Sequence, residues 1–323
     1  MSARGVSVAF RLPGRLPFLP SERLVAVDRV DLDIAVGETL AVVGESGCGK
    51  STLGRALLRL IEPSAGTLSW DGADLRGFTP MALRAWRREA QIVFQDPLAA
   101  LDPRMTVGDA VEEALVAFMP DLPPAARRDR VAETLRAVGI DPRLAERFPH
   151  EFSGGMCQRV AIARAIVGQP RLVVCDEPVS ALDVSIQAQI LNLLIGLKER
   201  DRLALLFISH NLAVVRSISD RVMVLYLGRV VEVAATERLF TAPRHPYTRA
   251  LLAAVPVPDP RIARHAPPPP ILGEPPSPLD PPSGCAFRTR CPHAIDRCAE
   301  ERPVLELVVE EARVACHRWR EFA

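Results

Sequence analysis

The chain has 323 residues, enough for one large domain and a smaller one. Its 40 Lys and Arg against 39 Asp and Glu leave a net charge of +1, which argues against a nucleic-acid or anionic-membrane footprint. No apolar run approaches the ~18 residues that span a bilayer, and Met1-Ser2-Ala3-Arg4 leads into no signal-like core. A cytosolic chain is expected, with any membrane link made through a partner.

Residues 1 to about 40 read as strands interrupted by turns at Pro13-Gly14 and Pro17 to Pro20; Val6, Val8 and Phe10 alternate, as do Leu32 and Ile34. The apolar run Thr39 to Val43 reads as a buried strand, and Leu53, Leu57, Leu60 and Ile61 mark a helix that begins near Lys50. Between them lies Gly44-Glu45-Ser46-Gly47-Cys48-Gly49-Lys50-Ser51-Thr52, which fits G-x-x-x-x-G-K-[ST]. Such glycines let backbone N–H groups turn inward around a polyphosphate, and the helix N-terminus adds donors of its own. In this reading Lys50 reaches the phosphates and Ser51 ligates Mg²⁺. Lys50 is one of two lysines, with Lys198, against 38 arginines. A compact ammonium fits between phosphates where a guanidinium fork does not.

Thr67 to Trp70 reads as a short strand ending at Asp71-Gly72, Met81 to Arg88 as a basic helix, and Gln91 to Phe94 as a strand stopped by Gln95-Asp96-Pro97. From about 98 to 165 the pattern is helical, with Val107 to Phe118 and Ala125 to Val138, and an inserted helical subdomain is expected. Ser153-Gly154-Gly155 precedes a helix marked by Val160, Ala163 and Val167, a second helix-terminus anion site. Leu172 to Cys175 is an apolar strand that runs into Asp176-Glu177. Asp176 is placed to hold Mg²⁺ and Glu177 to accept a proton from an attacking water. Ile186, Ile190, Leu194 and Leu197 form one helical stripe, and Ala204 to Ile208 is a strand followed by His210. Val222 to Leu225 and Arg229 to Glu232 straddle Gly228 as a terminal hairpin. Strands alternating with helices imply an α/β fold with a mostly parallel sheet.

Twelve of the 30 prolines fall between Pro256 and Pro282, a semi-rigid connector to a tail that holds four of the seven cysteines. Cys285, Cys291, Cys298 and Cys316 are spaced C-x5-C-x6-C-x17-C, outside the common zinc and ferredoxin spacings. A tail with little core and a reducing compartment favours a metal staple over disulfides, and the spacing leaves zinc and iron–sulfur both open.

Taken in order, the phosphate loop, Gln95, Ser153-Gly154-Gly155, Asp176-Glu177 and His210 resemble the motifs of ABC-transporter ATPase subunits. Cys175 to Gln189, His245-Pro246-Tyr247-Thr248 and Gly284 to Pro292 resemble the oligopeptide/dipeptide-permease branch. The resemblance implies a P-loop NTPase (RecA-like) core over residues 1–240, with the helical subdomain at about 98–165, an antiparallel N-terminal β region, and a Cys-rich extension over 241–323. It implies ATP-driven import of di- or oligopeptides, with nickel or another small solute, or a soluble non-transport ATPase, as alternatives. Two subunits are expected to sandwich each ATP between Gly44 to Thr52 of one and Ser153, Gly154 and Gly155 of the other, with Asp183 crossing the interface. Glu177 resembles the general base, His210 the γ-phosphate contact, and Gln95 the contact to Mg²⁺ and water. Met156 stands where the usual signature has Gln. Phe10 is the candidate for stacking on adenine, with Phe18 the alternative. The expected partners are a second ATPase, homologous or identical, two transmembrane permease subunits at the cytoplasmic face of the cell membrane, and indirectly an extracytoplasmic binding protein. The resemblance also implies a [4Fe–4S] cluster on the four tail cysteines.

Overall fold

Strands form where the chain is uniformly apolar or alternates, and helices where apolar residues recur every three or four positions. The computed structural model describes residues 1–12, 22–255, 273–309 and 311–322. Phe18, the turns between Pro13 and Pro20, and the connector from 256 to 272 lie outside the described residues.

In chain order the elements are β1 (Ser2–Leu12), β2 (Glu22–Asp33), β3 (Thr39–Val43), α1 (Lys50–Leu57), β4 (Ala65–Trp70), β5 (Ala73–Asp74), α2 (Pro80–Trp86) and β6 (Ala90–Val93). Then come α3 (Pro97–Ala100), α4 (Val107–Phe118), α5 (Pro124–Ala137), α6 (Gly154–Ile166), β7 (Leu172–Asp176), α7 (Val184–Asp201), β8 (Ala204–Ile208) and α8 (Leu212–Ile218). The chain closes with β9 (Arg221–Tyr226), β10 (Arg229–Ala235), α9 (Thr236–Thr241), α10 (Pro246–Ala253), α11 (Arg297–Glu300), β11 (Glu306–Val309) and β12 (Ala312–Val314). Each helix expected from periodicity is present, although α1 ends at Leu57, short of Leu60 and Ile61, and α4 has the expected ends. Thr106 caps it by accepting the Asp109 N–H at 3.1 Å, which satisfies one of the donors a helix start leaves open.

Two units divide the chain. The first holds Met1, Ile34–Thr39 and Ser69–Ile208. In it β6, β7 and β8 lie parallel, with Val93 opposite Cys175 and Asp176 opposite Ile208. Every residue of β7 and β8 is buried, as expected of parallel strands covered on both faces. Between 98 and 165 the unit forms helices and no strand. There Arg164 donates to the Ala100 carbonyl at 2.7 Å and to Glu113 at 2.7 Å, tying α6 to α3 and α4.

The second unit holds Ser2–Asp33, Leu40–Leu68 and Ser209–Ala323. Its long antiparallel pair β1–β2 carries β4 beside β1, and β3 lies parallel to β9 with Val43 opposite Val224. β9 and β10 form the expected hairpin, but that hairpin does not end the sheet. β12 adds antiparallel to β10, with Glu232 opposite Val314, and β11 follows on β12. Contrary to the expectation of a tail with little core, the tail shares the core of β9 and β10. Phe287 is 2% exposed, and its ring stands 5.3 Å from those of Tyr226 and Tyr247. Apolar burial of this kind stabilises the tail against β9 and β10.

Candidate functional site

The second unit carries the glycine loop. β3 ends at Val43 and α1 starts at Lys50, with Gly49 as its cap residue at φ 102. A Cβ at Gly49 would stand 2.1 Å from the Ala26 carbonyl oxygen, so only glycine allows this approach to β2. No side chain caps α1 at Gly49, and the helix start is the kind of donor cluster that takes phosphate. Lys50 is 5% exposed, and its ammonium donates to the carbonyls of Gly44 at 2.9 Å and Glu45 at 3.0 Å. Ser51 and Thr52 lie in the first turn of α1. Cys48 is buried, and burial pushes its thiol up. Past β8, exposed His210 precedes Asn211, which caps α8 by accepting the N–H groups of Ala213 and Val214. Phe10 lies half-buried on β1 opposite Leu24.

The first unit carries the carboxylates. Asp176 ends β7 at 1% exposure. Glu177, next along, adopts φ 49, a left-handed conformation rare outside glycine, and its N–H donates to the Ile208 carbonyl at 3.0 Å. The Gln95 side-chain amide donates to Glu177 Oε2 at 3.0 Å, which joins two residues that sequence reasoning placed in one site. Ser153 caps α6 by accepting the Met156 N–H at 3.4 Å. The two glycines after it differ. A Cβ at Gly155 would meet Ile186 Cγ2 at 2.5 Å, whereas one at Gly154 would find only Leu182 Cδ2 at 3.8 Å. Packing of α6 against α7 thus accounts for Gly155. Asp183 caps α7, accepting from the Ile186 N–H at 3.0 Å and the Ser185 hydroxyl at 2.7 Å. These bonds hold its carboxyl below the usual range.

All seven cysteines are free. Cys285, Cys291, Cys298 and Cys316 all line one cavity of about 10 Å³. Burial pushes the Cys285 thiol up to about 11 and the Cys316 thiol up to about 12. Among the described residues, no three His, Cys, Asp or Glu side chains form a ready metal-ligand group. Thiols are donors that suit soft metals, and the packing around these four is closed.

Residues 27–180 match the family described as ABC transporter, and residues 231–298 match the one described as oligopeptide/dipeptide transporter, C-terminal region. The oligopeptide transport ATP-binding protein OppF of Escherichia coli (strain K12) is 53% identical over 287 residues, covering 89% of this chain and 86% of that protein. The chain belongs to the ABC transporter family. OppF of Haemophilus influenzae is 47% identical over 312 residues, covering 97% of this chain and 94% of that protein. The ATP-binding cassette MJ0796, solved as a dimer in a post-hydrolysis state with ADP and phosphate, superposes with a TM-score of 0.65 at 29% identity. It covers 73% of this chain and 98% of its own.

This ABC ATPase therefore has the P-loop NTPase fold that its motifs implied. Three residues beside the glycine loop carry no local sequence signal of a role there. Tyr226, Tyr247 and Arg290 lie 181, 202 and 245 positions beyond Glu45, and all three gather near it. Tyr247 and Arg290 fall in the stretches that resemble the peptide-permease branch, which is the one signal that could have found them.

Proposed function

We propose that this ABC ATPase powers import of di- or oligopeptides through a membrane permease, and the observation that carries the reading is the match to OppF proteins along nearly the whole chain. Residues 1–240 form the nucleotide-binding cassette, with the helical subdomain at about 98–165, and 241–323 the transporter-type extension. It works at the cytoplasmic face with a second ATPase subunit, two permease subunits and, indirectly, an extracytoplasmic binding protein. Among the described residues no helix is long and apolar enough to cross a membrane, so those subunits supply the membrane path.

Gly44 to Thr52 hold the phosphates, with the Lys50 ammonium as the fixed positive charge. Ser51, Gln95 and Asp176 supply the oxygen donors that suit magnesium, which neutralises phosphate charge when bound. Glu177 takes a proton from the attacking water, and the Gln95 amide at 3.0 Å orients its carboxylate. His210 contacts the γ-phosphate, and Phe10 stacks on adenine. Ser153, Gly154 and Gly155 present the start of α6 to the nucleotide of the partner ATPase, and Asp183 faces the same interface.

A strain lacking this chain tests the cargo. Uptake of labelled di- and oligopeptides is expected to fall, and to return with the wild-type chain but not with Glu177→Gln. Unchanged peptide uptake together with lost nickel uptake would replace the cargo.

The reading extends to a [4Fe–4S] cluster on Cys285, Cys291, Cys298 and Cys316. Four thiols lining one cavity support it, and admitting a cluster requires those side chains to turn from their closed packing. Protein purified anaerobically is expected to carry iron and acid-labile sulfide; a colourless chain with stoichiometric zinc would assign the thiols to zinc instead.

A further inference from the structure

The C-terminal extension grips the phosphate loop at one residue, Glu45, from two sides. The Tyr247 hydroxyl accepts the Glu45 backbone N–H at 2.9 Å. The Arg290 guanidinium donates to Glu45 Oε2 at 2.7 Å and to Oε1 at 2.9 Å. A two-bond pair of this kind fixes the plane of the carboxylate as well as its position. Arg290 is 4% exposed, and it also donates to the Tyr226 hydroxyl at 3.4 Å. Opening the pair would leave a buried charge without its carboxylate, which is costly. The same Glu45 offers its carbonyl to the Lys50 ammonium. A continuous path therefore runs from Arg290 through Glu45 to Lys50.

We propose that Arg290 is a positioning residue for the ATP site. By clamping Glu45 it holds the loop carbonyls on which the Lys50 ammonium rests, and it neutralises a carboxylate that would otherwise repel the polyphosphate. The proposal rests on the reading of Gly44 to Thr52 as the phosphate loop. A loop held in its binding geometry loses less freedom when nucleotide arrives. Loosening it weakens ground-state and transition-state binding alike, which raises KM and leaves kcat in place.

The test is a double-mutant cycle on the full chain, with ATP affinity, KM and kcat measured for each variant. Arg290→Met is expected to raise Kd and KM about tenfold, a cost of about 1.4 kcal/mol, with kcat within about twofold. In the Glu45→Gln background the same change is expected to cost less than about twofold, because the carboxylate it acts through is gone. Arg290→Lys keeps the charge but not the fork, and is expected to recover part of the affinity. It also carries the comparison if Arg290→Met lowers the melting temperature below the assay temperature. An unchanged Kd for both Arg290 variants overturns the proposal, as does an equal fold-change in both backgrounds. Normal ATP affinity in Lys50→Ala would overturn the loop reading itself, and so separates that failure from a failure of the clamp.

Discussion

Glu177 occupies a backbone conformation that its side chain disfavours, and the cost can be measured apart from its chemistry. At φ 49 an L-residue brings Cβ towards its own carbonyl, at a cost of roughly 1–2 kcal/mol that glycine escapes. The backbone at 177 is pinned by its bond to the Ile208 carbonyl at 3.0 Å, so a substituted chain cannot simply relax into an extended conformation. Glu177→Gly and Glu177→Ala both lose the 3.0 Å bond from Gln95, which cancels in the comparison. What remains is the left-handed penalty, partly offset by the greater freedom of glycine in the unfolded chain. The Gly variant is therefore expected to be more stable than the Ala variant by about 1 kcal/mol in urea unfolding. Both are expected to bind ATP, and neither to turn it over. An Ala variant as stable as the Gly variant would refute the claim that the fold stores strain at this position. Strain of this kind clusters at functional sites, in keeping with the role proposed for Glu177.

Two further outcomes follow from the packing. Gly155→Ala drives a methyl group into Ile186 at 2.5 Å and is expected to cost about 2 kcal/mol in urea unfolding. Gly154→Ala makes only ordinary contact at 3.8 Å and is expected to cost less than about half of that; equal costs would remove the packing account of the second glycine. Burial lowers His245 from 6.5 to about 3, so the unfolded chain takes up a proton below pH 6.5 that the folded chain refuses. Stability from this group is complete above pH 6.5 and declines by on the order of 1 kcal/mol per pH unit as pH falls towards 3. Neighbouring Glu232, raised by burial, acts in the opposite sense and is present in both chains compared. Because Asn at 245 can still accept the Tyr247 N–H, His245→Asn is expected to flatten the acid limb of a stability–pH profile by about one proton. Superposable profiles would contradict it.

The strand, glycine turn and helix around Lys50 were legible because all of their signals lie within one short stretch. The same holds for α4, whose Thr106 cap and apolar stripe are local signals. The Gln95–Glu177 bond was legible at one remove, since each residue follows a strand and β6 and β7 lie side by side. The tail was not. β11 and β12 are four and three residues long, and β12 pairs with a strand about 80 positions earlier. No local periodicity reports a pairing of that span. Crowded cysteines are a local signal, whereas Phe287 and Arg290 have partners remote in sequence.

The pairing of β12 with β10 bears on how this ATPase can be cut and recombined. A chain ended near residue 240 would bare the outer backbone of β10 and strip both Tyr247 and Phe287 from Tyr226. An uncovered strand edge invites pairing with another chain. The cassette is not a detachable module with an appendix. Chimeras that exchange nucleotide-binding domains between transporters must carry the extension with its own β10, or supply another strand to cover that edge.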